Sequence, residues 1–367
     1  MSNLSIRHII QAIEEFAPIA LQESYDNCGL QIGNPEAIAS GVLLSIDVTE
    51  DVVKEAIDKK ANLIIAHHPL LFKGIKNITG STYSERVIIK AIQHNIAIYA
   101  SHTCMDNATE GVNKKIAQKL GLTNTAVLEP ASDKLLKLRV YVPTNYTEKI
   151  RSTLFSVGIG CIGKYDNCSF NFDGEGTFKA GEECTPFCGE KHRLHTERET
   201  CIEVILPTYL KQKAIKTLLQ VHPYEEPAFD IIPIKNQWDN VGAGIIGELP
   251  LPIDETSFLH HIKKTFHLSV LKHSPLQNKP IKKVALCGGA GASLIKQAVN
   301  KEADIFITGE IKYHDYFDYE SQILLVDIGH YESEQYTKEI FYDIITKKFP
   351  TFATHYSKVE TNPINYL

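Results

Sequence analysis

Apolar side chains recur every three or four positions through LSIRHIIQAIEEF (residues 4–16), the spacing of one helical face, and Ser5 stands where an N-cap belongs. After the turn-rich YDNCGLQIGNPE the pattern changes to short apolar runs: GVLLSIDVT (41–49), ANLIIAHHP (61–69) and IAIYASH (96–102). Helical DVVKEAIDKK and a helix-like stretch near 84–94 separate them. Alternation of buried strands with helices predicts a largely parallel sheet covered on both faces. The same grammar returns in KKVALCGGAG (282–291), ADIFITGE (303–310) and ILLVDIGH (323–330). Two α/β segments therefore flank a different middle.

That middle follows LTNTAVLEPASDK, which reads as a loop, and begins with LLKLRVYVP (135–143), alternating in part and stopped by proline. A helix-like TEKIRSTLFSVG, a Gly- and Cys-containing stretch (161–192), ETCIEVILP, a helix-like LKQKAIKTLLQV and AFDIIPI come next. Strand, helix, strands, helix, strand is the order of a ferredoxin-like α+β module. The expected division is thus an α/β core built from 1–130 and 236–367, with an inserted ferredoxin-like α+β domain at 131–235.

The 367 residues carry 38 Lys and Arg against 44 Asp and Glu, a net charge of −6. A duplex-binding protein needs a basic surface to release counterions, so nucleic acid is not the expected partner. The N-terminus has acids within its apolar stretch and neither a basic start nor a small-residue cleavage site. No apolar run approaches the roughly 20 residues of a membrane span. The expected location is the cytoplasm, with the eight Cys as reduced thiols.

Chemistry gathers where the apolar runs end. His67 and His68 close one run, His102 and Asp106 follow another, and His330 follows a third with Glu334 four residues on. Open α/β sheets bind ligands beyond the carboxyl ends of their strands, so these loops can converge. Imidazole and carboxylate suit Zn, Fe, Mn, Ni or Co, and the i, i+4 spacing puts His330 and Glu334 on one face of a helix expected to continue through Tyr336, Ile340, Phe341 and Ile344. Adjacent His67 and His68 point oppositely in extended backbone, so using both takes a turn at Pro69 or two ions. Singly, each is an ordinary loop or helix-face residue; three strand-end clusters together read as a site. Asp47 and Asp327 are either orienters of those ligands or turn residues.

CGGAG (287–291) reads first as a tight turn and second as a phosphate cradle, lacking the Lys-Ser/Thr of a P-loop. Cys184, Cys188, His192 and His195 make C-x3-C-x3-H-x2-H, whose middle gap is too short for a zinc finger of ordinary build. Exposed reduced thiols are the simpler reading. Cys161 and Cys287, set in apolar runs, are expected in the core.

AHHPLLF (66–72), SHTCMDNATEGVN (101–113), CGGAG with TGEIKYHD (308–315), DIGHYESE (327–334) and YDNCGLQIG (25–33) together resemble the NIF-three-like family, whose members carry the label GTP cyclohydrolase I type 2 homologue. Residues 158–178 with VHPYEEPAFDI (221–231) look like the PII-like or CutA-like insert of its longer bacterial members. The resemblance implies a dinuclear metal centre, two divalent ions with zinc as the default, held by His67, His68, Asp106, His330 and Glu334, with Glu334 as the bridging carboxylate. His102 and His314 would stand nearby as candidate catalytic groups. It also implies a ring-shaped homohexamer with the metal sites facing an internal cavity. Glu310 stands where the family commonly has Asp, and Cys184 and Cys188 fall outside its pattern. The expected function is metal-dependent hydrolysis of a nucleotide-like small molecule, against the alternative of a non-enzymatic metal-handling protein with a regulatory or assembly insert.

Overall fold

A computed structural model describes residues 4–367. It divides into two compact units, Met1–Pro130 with Asn240–Leu367, and Ala131–Asp239. The interrupted unit thus resumes at Asn240, against 236 expected from sequence.

The first unit holds two sheets. In one, Gly29–Ile32, Ala97–Ala100, Leu63–Ala66, Val42–Ser45 and Thr354–Tyr356 lie side by side in that order. The last four are mutually parallel and Gly29–Ile32 runs antiparallel at the edge. Every residue of Leu63–Ala66 is fully buried, as a strand covered on both faces requires. Val52, Val53 and Ala56 of the helix Glu50–Asp58 pack on this sheet with Val87 and Ala91 of Tyr83–Gln93.

In the second sheet the order is Lys272–His273, Leu324–Asp327, Ile305–Thr308, Ile281–Cys287, Trp238–Ile253 and Thr123–Ala131. Its three central strands are parallel and Lys272–His273 is antiparallel. Thr123–Ala131 is therefore a strand, not the loop expected from its polar residues and Pro130. Its exposure explains the mismatch: only Leu128 is fully buried, so an edge strand shows no apolar run. Both sheets aim parallel carboxyl ends at the site described below.

The N-terminal helix spans Ile6–Phe16 after Ser5, whose backbone N–H is taken by His8 Nδ1 at 3.2 Å. At the other end, the helix expected from His330 onward is two helices, His330–Glu334 and Thr337–Lys348, broken at Gln335 and Tyr336.

The second unit runs Leu135–Pro143, helix Thr147–Ser156, Phe170–Lys179, Leu194–Pro207, helix Lys211–Val221 and Phe229–Pro233. Its four strands pair antiparallel, with Leu194–Pro207 and Leu135–Pro143 at the centre. Leu138, Val140, Ile202 and Val204 from the central strands meet Ile150, Leu154 and Leu218 from the helices in a core of its own. Cys161 is exposed rather than buried, and Cys287 is only partly buried. Among the described residues no helix is long and apolar enough to cross a membrane.

Candidate metal centre

Three loops leaving parallel strands of the two sheets deliver the site. His67 and His68 follow Leu63–Ala66, with His67 N–H donating to Ile46 O at 3.1 Å and His68 N–H to the same carbonyl at 2.9 Å. This turn, closed by Pro69, releases the chain from strand geometry, so the neighbouring imidazoles both reach the centre, their rings 5.0 Å apart. His102 and Asp106 start and fill the short helix Thr103–Asn107 after Ala97–Ala100. His330 and Glu334 lie on His330–Glu334 after Leu324–Asp327.

The donor atoms fall into two sets that share one carboxylate. In the first, His67 Nε2 lies 3.6 Å from Asp106 Oδ1 and 3.5 Å from Glu334 Oε1. In the second, Glu334 Oε2 lies 2.9 Å from His68 Nε2 and 3.3 Å from His330 Nε2, and those two nitrogens are 3.3 Å apart. Each oxygen of Glu334 thus faces a different set, the disposition of a bridging carboxylate. His67 Nε2 and Asp106 Oδ1 are buried without a hydrogen-bond partner. An unpaired buried polar atom costs about 1–3 kcal/mol, and a cation between them would satisfy both. The residues fit a pair of divalent ions on that observation and on their donor chemistry.

The far nitrogen of each imidazole is fixed. His67 Nδ1 contacts Ser101 O at 3.0 Å, His68 Nδ1 contacts Asp47 Oδ1 at 2.7 Å, and His330 Nδ1 contacts Glu310 Oε1 at 2.7 Å. His102 Nδ1 contacts Asp26 Oδ1 at 2.9 Å. An acceptor on Nδ1 holds a proton there and turns Nε2 toward the site, as histidine ligands require. Asp47 is therefore an orienter, while Asp327 is a turn residue: it accepts Gly329 N–H at 3.1 Å and pairs with Lys272 at 2.5 Å. Glu310 does for His330 what Asp327 does not. Asp26 is the residue that strand-end reasoning missed, since it precedes the strand Gly29–Ile32 and follows no apolar run.

The charges explain the protonation states. Burial alone would depress the His68 imidazole, but Asp47 and Glu334 override it and push it up to about 10. His330 is likewise buried yet raised to about 9 by Glu334 and Glu310. Burial raises Asp106, with Glu334 adding to the shift, whereas the surrounding imidazoles reverse the burial penalty on Glu334 and hold it well below the usual range. Burial would also raise Asp26, but hydrogen bonds from His102 and Thr103 bring it well below that range.

CGGAG closes the site as a tight turn. Three of its amides are committed within the protein: Gly288 N–H to Asn113 Oδ1, Gly289 N–H to Ser333 Oγ and Gly291 N–H to Thr308 Oγ1, at 2.9, 2.8 and 2.9 Å. Three amides of the motif are thus spent inside the protein, which favours the tight-turn reading over a phosphate cradle. Gly289 has φ +61°, and a Cβ there would fall 2.3 Å from Glu334 Oε1.

His102 stands beside both sets, its ring 5.3 Å from His67 and 5.4 Å from His68, and a ring nitrogen of each of the three lies within 4.8 Å of the others. His314 does not join it. That side chain is exposed ahead of Asp315–Asp318, against the Tyr313 ring at 5.5 Å, because the loop after Gly309 carries it outward while Glu310 turns in. Exposed Tyr25 and Phe72 form a rim, 6.4 Å apart, with Phe72 6.2 Å from His102.

Paired parallel-stranded sheets with imidazoles and carboxylates at their converging ends define an α/β protein with a metal-type site. Residues 4–363 match the Duf34/NIF3 (NGG1p interacting factor 3) family, and the chain belongs to it. It is 36% identical over 371 residues to a Bacillus subtilis protein named GTP cyclohydrolase 1 type 2 homolog, covering 98% of each chain. A Halalkalibacterium halodurans protein of the same name is 37% identical over 365 residues, again covering 98% of each. The crystal structure of a Bacillus cereus protein related to NIF3 superposes with a TM-score of 0.86 at 35% identity, covering all of both chains.

Proposed function

We propose that this chain is a dinuclear-metal hydrolase acting on a nucleotide-like small molecule. The observation that carries it is the sharing of Glu334: one oxygen faces His67 and Asp106, the other His68 and His330. Bound there, two divalent ions supply Lewis-acid polarisation and a water acidic enough to attack at neutral pH. Zinc is the first expectation for this donor set, with Fe, Mn, Ni and Co compatible.

The chain's own residues do the rest. Asp47, Glu310 and the Ser101 carbonyl hold the imidazoles in one orientation. His102, with Nδ1 held by Asp26, keeps Nε2 available to carry a proton between substrate and solvent. Tyr25 and Phe72 offer exposed ring faces beside it on which a base can stack. This supports a nucleotide-like substrate and the name its relatives carry.

The second unit, by its βαββαβ order and antiparallel pairing, is read as a ferredoxin-like insert. A cytoplasmic ring-shaped homohexamer belongs to the same proposal; native mass spectrometry dominated by hexamer supports it, and monomer alone counts against it.

The test is turnover of GTP and other nucleotides by fully metallated protein beside Glu334→Ala. Turnover lost in the variant is expected. Absence of GTP turnover removes the GTP version. Absence with every nucleotide, with the ions exchanging reversibly, favours metal handling instead.

A further inference from the structure

Among the described residues one other place gathers three metal-type ligands, and it lies within the second unit. Cys188, His195 and Glu197 bring a thiol sulfur, an imidazole nitrogen and a carboxylate oxygen within 4.8 Å of one another. His195 and Glu197 are two residues apart on Leu194–Pro207 and so share a face of that strand. His195 Nε2 meets Glu197 Oε2 at 2.9 Å. Cys188 arrives from the loop before the strand, and Gly189 is what lets it. Gly189 has φ +77°, and a Cβ there would fall 2.8 Å from the His195 ring, so the backbone lies directly on the imidazole.

The surroundings hold the three in place. Phe178 meets the His195 ring edge-on at 5.3 Å. Tyr224 Oη lies 3.9 Å from Cys188 Sγ and donates to Glu199 Oε1 at 2.9 Å. The four-ligand motif of the sequence does not close: His192 is exposed and paired with Glu182 at 2.7 Å, and Cys184 lines a neighbouring cavity of about 540 Å³ with Phe178, Phe187 and Tyr224. Glu197 takes the place the spacing had suggested for a second histidine.

We infer that Cys188, His195 and Glu197 form a binding site for one zinc-type divalent cation, distinct from the donor sets around Glu334. A thiolate excludes Mg²⁺ and Ca²⁺, and mixed S, N and O donors suit a borderline ion. Three protein ligands leave a fourth position open, the pattern of sites that exchange their contents. The side chains of His195 and Glu197 are 28% and 29% exposed, so an ion enters from solvent. Binding releases the Cys188 thiol proton and ties the loop at 188 to the strand at 195 and 197. The second unit then responds to metal supply through its own ligands.

Cobalt tests this in the full-length protein, because thiolate ligation gives a near-ultraviolet charge-transfer band that imidazole and carboxylate do not. Titrated with Co²⁺ in the Glu334→Ala background, so that the donors around Glu334 do not compete, chelator-stripped protein should show that band saturating at about one ion per chain. It should vanish when Cys188→Ser is added, weaken about tenfold or more in affinity with His195→Ala, and persist with Cys184→Ser. Circular dichroism matching the parent shows that the variants fold. No band at saturating Co²⁺, or a band that survives Cys188→Ser, overturns the assignment.

Discussion

At the scale of single residues, the site is a set of imidazoles each held from behind. Removing a holder should weaken metal without removing a ligand. Asp47→Ala frees His68 Nδ1, and metal affinity measured by competition with a chromophoric chelator should fall about 10–100-fold; an unchanged affinity would show that His68 needs no such support. The same carboxylates set the pH dependence. His68 and His330, raised to about 10 and about 9, are protonated at neutral pH in the metal-free protein. Metal must displace those protons, so apparent affinity should rise with pH toward 9–10, and calorimetry in buffers of different ionisation heat should detect proton release. The stability sign runs the other way. A folded value above the unfolded one, about 6.5, contributes stability that is complete below that pH and lost as pH rises through 9–10. The thermal midpoint of metal-free protein should therefore decline over that window.

Histidines 67, 68, 102 and 330 and their strand-end positions were legible in the sequence because each follows an apolar run. Their partners were less so. Asp26 and Glu310 lie 76 and 20 residues from the histidines they hold, and nothing in local spacing joins them. His314 failed for the same reason in reverse: its position in TGEIKYHD says nothing of which way the loop turns.

At the scale of elements, strands covered on both faces announced themselves and edge strands did not. Leu63–Ala66 and the first three residues of Ile305–Thr308 and of Leu324–Asp327 are continuous apolar runs, whereas Thr123–Ala131 buries only Leu128 fully and Thr354–Tyr356 is three residues long. The helix break after Glu334 was also hidden, since apolar spacing continues across it. The CGGAG turn is the element on which the donors close. Gly289→Ala would drive a methyl against Glu334 Oε1 at a φ that L residues rarely adopt. Metal content should fall sharply while secondary structure by circular dichroism is kept; full metal content in that variant would mean that Glu334 is not confined by the turn.

At the scale of the whole molecule, the two units have separate cores. Leu138 is fully buried among Val140, Ile150 and Leu218 of the second unit. Leu138→Ala should cost about 2–5 kcal/mol of that unit's stability, seen by hydrogen exchange confined to 131–239, with the donors around Glu334 still loading metal. Loss of metal there would mean that the units do not hold their structures separately.

The central claim is that Glu334 joins two cation positions. The most direct measurement is metal per chain by elemental analysis, in tag-free protein purified without chelator. Cys188→Ser serves as the parent, so that only the donors around Glu334 are counted. About two ions per chain are expected, falling to a small fraction when Glu334→Ala is added. A parent that takes up no Zn, Fe, Mn, Ni or Co, or one whose content is untouched by Glu334→Ala, would contradict the account.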